Sequence, residues 1–113
     1  MSESFQHDLQ RRLQNVEFRQ EFGATHARTD VALTLYRARR AAQMTQTQLA
    51  GLLGTRHSYI AKLESGDANP TLGTVGKILA LLGLRLTTGF TDLVTKEEPS
   101  PTVQEQADKV LID

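Results

Sequence analysis

The stretch from Thr45 to Gly66, TQTQLAGLLGTRHSYIAKLESG, constrains this chain more than any other, because it reads as two short helices joined by a tight turn. Thr45 is placed to cap a first helix over Gln46 to Leu53, its hydroxyl accepting from a first-turn amide. Leu49, Leu52 and Leu53 are expected to form the buried face of that helix, and Ala50 is small where a second helix must cross closely. Gly54 follows the last apolar position and offers the left-handed backbone that a helix exit requires. Thr55 is then expected to cap a second helix ending near Ser65.

On this second helix Ile60 and Leu63 fall on one side, while Ser58 and Lys62, four residues apart, share the other. Arg56 and His57 project from its first turn. The outer face is therefore rich in hydrogen-bonding groups and carries no acid before Glu64. Such a face suits a helix whose N-terminal end enters the major groove of DNA.

The run resembles the helix-turn-helix of the Xre and phage-repressor family. In that family a Gln opens the first helix, an Ala follows four residues later, a Gly sits in the turn, an Ile is buried in the recognition helix, and the helix closes on Glu-x-Gly. Here these are Gln46, Ala50, Gly54, Ile60, Glu64 and Gly66, all in register. The similarity extends through Asn69-Pro70-Thr71 and a following helix to Leu86. It implies an all-α, five-helix repressor-like domain with an N-terminal helical extension and a short C-terminal dimerising strand. It also implies a structural ion pair between Arg39, an unusual charge on an apolar helix side, and Glu64.

The formal net charge is zero, from 13 basic and 13 acidic residues, yet the charges are segregated. From Arg28 to Lys62 six basic residues stand against Asp30 alone, a net +5, and from Thr91 to Asp113 six acids stand against Lys96 and Lys109, a net −4. A basic helical segment beside an acidic tail is the asymmetry of a DNA reader with a separate extension. The chain has no Cys, which removes disulfide scaffolds and thiolate metal sites and fits a reducing cytoplasm. No apolar run reaches the roughly 20 residues that a membrane span needs. His7, His26 and His57 lie on different elements without ligand spacing, so neither a catalytic centre, a metal site nor a cofactor is expected.

Residues 1–25 read as an amphipathic helix. Phe5, Leu9, Leu13 and Val16 carry its apolar period, Phe18 and Phe22 form an i, i+4 pair, and Gly23 stops it. This helix either packs on the core or a symmetry mate, or docks another protein. Residues 26–90 read as the helix-turn-helix domain. His26 to Thr29 is a linker, Asp30 caps a helix from Val31 to about Gln43, and Val31, Leu35, Ala38 and Ala42 form its inner stripe. Thr71 caps a helix bearing Leu72, Val75, Ile78, Leu79 and Leu82, ended by Gly83, with Gly76 as an unexpected interior glycine.

Residues 84–88 alternate and favour a strand. A lone strand needs a partner, and the same strand of a second subunit is the most economical one, with Leu84, Leu86, Thr88 and Phe90 at the contact. Similar HigA-type and HipB-type antitoxins dimerise through such C-terminal segments. Residues 91–113 form an acidic tail, either mobile or folding onto a basic partner such as a toxin.

For DNA, the expected base contacts are Arg56, His57, Ser58 and Lys62, with backbone contacts from Arg40, Thr45, Gln46, Tyr59 and Asn69 near helix starts. Three functions fit. One is a sequence-specific repressor that is the autoregulating antitoxin of a type II toxin–antitoxin module, a cytoplasmic homodimer on a palindromic operator with a cognate toxin protein as partner. Another is a phage or host Xre-type repressor without a toxin. The third is a protein-interaction module that retains the fold.

Overall fold

The structure, a computed structural model, describes residues 3–94. Five helices follow in order: α1 (Glu3–Arg12), α2 (Val16–Ala41), α3 (Gln46–Leu53), α4 (His57–Ser65) and α5 (Leu72–Leu81). By internal contacts the chain divides into two units, one spanning Ala24–Leu86 and the other formed from residues outside it.

The N-terminal helices are divided differently from the expectation. The break falls at residues 13–15, and α2 then runs for 26 residues through Gly23, His26 to Thr29 and Asp30 without interruption. Asn15 is the cause, because its Oδ1 accepts from the Phe18 N–H at 2.9 Å while its carbonyl accepts from the Arg19 N–H at 2.9 Å. That is a complete N-cap. An interior Gly costs a helix only about 1 kcal/mol relative to Ala, so Gly23 among good helix formers weakens α2 without ending it. Asp30 is interior, and the Thr34 hydroxyl donates back to its carbonyl at 2.8 Å. Phe18 and Phe22, four residues apart on α2, form a tilted ring pair with centroids 6.1 Å apart.

Within the unit Ala24–Leu86, four helices surround one core. Leu35 and Ala38 come from α2, Leu49 and Ala50 from α3, Ile60 and Leu63 from α4, and Val75, Ile78 and Leu79 from α5. Leu35, Leu49, Ile60, Val75 and Ile78 are fully buried, each contributing about 1.5–3 kcal/mol. Leu52, expected inside, is half exposed. At about 100° per residue, Leu49, Ala50 and Leu53 cluster on one side of α3 and Leu52 is turned away from them. Ala42, expected on the inner stripe, lies beyond the end of α2 and is exposed.

The helix ends follow side-chain and backbone chemistry. Thr45 accepts from the Gln48 N–H at 3.0 Å while Gln48 Oε1 accepts from the Thr45 N–H at 2.9 Å, a reciprocal capping box at the start of α3. Gly54 leaves α3 at φ 72°, and the Thr55 N–H closes back on the Ala50 carbonyl at 2.9 Å. Thr55 is consequently part of the exit from α3 rather than the cap of α4. The residue before α4 is Arg56, which makes no side-chain cap bond. Thr71 caps α5, accepting from the Thr74 N–H at 3.1 Å.

No strand occurs among the described residues, and residues 84–88 form no ladder in the single chain. The Leu84 N–H is instead taken by the Leu79 carbonyl at 2.9 Å, closing the end of α5. Residues 95–113, most of the expected acidic tail, lie outside the described residues.

Candidate nucleic-acid interface

The candidate surface is built from α3, α4 and the end of α2. Ile60 and Leu63 anchor α4 to the core, and the 3.6-residue period then turns Arg56, His57, Ser58 and Lys62 outward, where all four are exposed. Tyr59 is half buried and packs on the rim of the core, so its ring is partly committed inward. Arg56, the residue before α4, makes no side-chain cap bond, and its carbonyl accepts from the Tyr59 N–H at 3.0 Å.

Behind α4 lies a buried charged residue, Arg39. Its Nε donates to Glu64 Oε2 at 2.7 Å and its Nη2 to Glu64 Oε1 at 2.9 Å, a bidentate pair with side chains 7% and 5% exposed. The third nitrogen, Nη1, donates to the Met44 carbonyl at 2.7 Å. The guanidinium carbon lies 5.5 Å from the Tyr36 ring centroid, within cation–π range. The hydrogen bonds to Glu64 raise the Arg39 pKa against the opposing effect of burial. Burial pushes the Glu64 carboxyl up, but hydrogen bonds from Arg39 and Gln46 and the Arg39 charge outweigh it and hold the group below the usual carboxylate value. The pair therefore stays ionised and ties α2 to the end of α4.

Among the expected backbone contacts, Arg40 and Asn69 are exposed. The Thr45 hydroxyl accepts within the capping box, which leaves its own proton to donate. Gln46, the first residue of α3, is half buried, and its Nε2 donates to Glu64 Oε1 at 3.1 Å. Sequence reasoning placed Gln46 at a helix start but missed this bond, since the partner is 18 residues away and only the packing of α3 on α4 brings the two together. Of the residues expected at a dimer contact, Leu84 and Thr88 are exposed, Phe90 is 87% exposed, and Leu86 packs against the core of its own chain.

Two helices at a glycine turn, with a polar and basic outer face on the second, are a geometry that accepts duplex DNA. Residues 35–88 match the helix-turn-helix family model, an Xre-like type. The matched helix-turn-helix domain, just under half of the chain, is of the kind that DNA-binding transcription regulators carry. It begins within α2 and ends beyond α5, so it takes in Arg39, Glu64 and every residue of the candidate face. Neither curated proteins nor solved structures returned a match. Among the described residues no helix is long and apolar enough to cross a membrane, and no group of His, Asp or Glu is arranged to hold a metal ion.

Proposed function

We propose that this chain is a sequence-specific transcriptional repressor that reads duplex DNA through α4. The observation that carries the reading is the exposure of Arg56, His57, Ser58 and Lys62 on a helix held from behind by Ile60, Leu63 and the Arg39–Glu64 pair. Arg56 reaches guanine O6 and N7, while Ser58 and His57 donate to or accept from neighbouring base edges. Lys62 extends the contact along the groove, and Arg40, Thr45, Gln46, Tyr59 and Asn69 set the register on the phosphates.

The active form is a homodimer joined through residues 84–90. The exposed Leu84 and Phe90 support this, as does a segment rich in strand-forming residues that carries no ladder in a single chain. Two recognition helices then meet half-sites about 34 Å apart on a palindromic operator. The finer reading is that the repressor is the autoregulating antitoxin of a toxin–antitoxin pair. It rests on the resemblance to antitoxins of this layout and on the segregation of acids into the last segment of the chain.

Gel shifts against the DNA upstream of the chain's own gene test the repressor. Retardation that weakens steeply as salt rises is expected, because phosphate neutralisation releases counterions. Absence of retardation at low salt overturns the reading. Co-purification of a small basic protein encoded beside the gene tests the antitoxin role, and a chain that represses without retaining such a protein is a repressor alone.

A further inference from the structure

We propose that Glu64 is a positioning residue for DNA binding, holding the Gln46 side-chain amide at the start of α3 so that its second N–H is presented to a backbone phosphate. The inference rests on the DNA-binding reading above and assigns to the buried ion pair a part in it beyond stability.

The geometry is a chain of three side chains. Arg39 grips both Glu64 oxygens, at 2.7 and 2.9 Å, and one of those oxygens, Oε1, also accepts from Gln46 Nε2 at 3.1 Å. A carboxylate oxygen only accepts, so the nitrogen edge of the Gln46 amide is the one that faces it and the amide orientation is determined. One N–H is spent on Glu64 and the other stays available. A free glutamine at a helix start samples many rotamers and must lose them on meeting a phosphate, whereas one already anchored has little left to lose. Glu64 would repel phosphate if its charge were bare. The Arg39 guanidinium cancels that charge at hydrogen-bond distance, so the carboxylate acts as an anchor without a repulsive field. The anchor itself is rigid, because α4 carries Glu64 one residue after the buried Leu63 and α2 carries Arg39 beside the buried Ala38.

The test replaces the anchor without stranding a charge. In the full-length chain, Arg39→Met with Glu64→Met exchanges a buried pair for apolar side chains, a change that generally preserves folding, and circular dichroism confirms the helical content. Gln46→Ala is then made in the wild-type and in the double-Met background, and binding to a mixed-sequence duplex of about 30 base pairs is measured at low salt. Gln46→Ala is expected to weaken the wild type roughly tenfold to a hundredfold, the worth of one hydrogen bond to a charged group, and to change the double-Met protein by less than about twofold. In the free protein, the Gln46 side-chain amide resonances should stand apart from those of solvent-exposed glutamines and move among them in the double-Met protein.

Equal losses in the two backgrounds, or Gln46 amide resonances that do not move, overturn the positioning role while leaving the DNA-binding reading intact. A wild-type chain that binds no duplex overturns both. Should the double-Met protein not fold, Glu64→Gln takes its place. It keeps the shape but lets the Gln46 amide turn either edge inward, so the same loss of Gln46 dependence is expected and its absence has the same force.

Discussion

Arg39 and Glu64, 25 residues apart in sequence, meet in a bidentate pair at 2.7 and 2.9 Å with both side chains almost withdrawn from solvent. Burying two ions is costly, and the arrangement is sustained because every strong group finds a partner: Met44 takes the third guanidinium nitrogen and Gln46 adds a donor to the carboxylate. Glu64→Ala leaves a buried guanidinium facing one carbonyl and no anion. A loss of about 3 kcal/mol in unfolding free energy is expected, read from urea unfolding, and a thermal melt superimposable on that of the wild type rules the pair out as a structural tie.

The same pair makes stability depend on acid. Glu64 is held below the ordinary carboxylate value of 4.5, so its folded pKa lies under its unfolded one. The stabilisation is complete above the ordinary value and is lost as pH falls through the lower, folded value. Urea midpoints measured from neutral pH downward should therefore fall once pH drops below the ordinary carboxylate range. Glu64→Gln, less stable at neutral pH, should show a shallower acid decline, and parallel declines count against the assignment.

Gln43 is the one non-glycine residue with positive φ among the described residues, at 58°. It occupies the exit of α2, where the Met44 N–H closes on the Arg39 carbonyl at 3.2 Å and the Gln43 N–H on the Arg40 carbonyl at 3.0 Å. A left-handed residue with a Cβ costs about 1 kcal/mol relative to Gly. Gln43→Gly is expected to raise the unfolding free energy by about 0.5–1 kcal/mol, measured by chemical denaturation, whereas Gln43→Val should lower it.

Gly76 lies inside α5, and a Cβ built there meets nothing within 4 Å. Close packing among the described residues therefore does not account for the glycine. Gly76→Ala should stabilise the monomer by about 1 kcal/mol through helix propensity and a less flexible unfolded chain. A variant no more stable than wild type in dilute solution would show that α5 gains nothing from the added side chain.

Arg56→Ala should cost about 1–3 kcal/mol of operator affinity and relax base preference, while Gln46→Ala weakens specific and random duplexes alike. Competition gel shifts separate the two. Equal losses on operator and random DNA for Arg56→Ala remove its role in base reading.

Local chemistry carried most of what could be read in advance. Capping at Thr45 and Thr71, the glycine exits at Gly54 and Gly83, and the inward placement of Leu49, Ala50, Ile60 and Leu63 depend on neighbours within a turn or two, which the order of residues alone specifies. Whatever depended on competition between local signals was settled otherwise. Gly23 and Asp30 read as a stop and a cap, yet Asn15 supplied the stronger cap and α2 ran on through both. Leu52 was apolar enough for the core, but the angular centre of the α3 face lay on Leu49 and Ala50. Tertiary packing alone joined Gln46 to Glu64, turned Tyr59 partly inward and drew Leu86 into its own chain's core, because each contact spans elements whose relative placement no local pattern encodes.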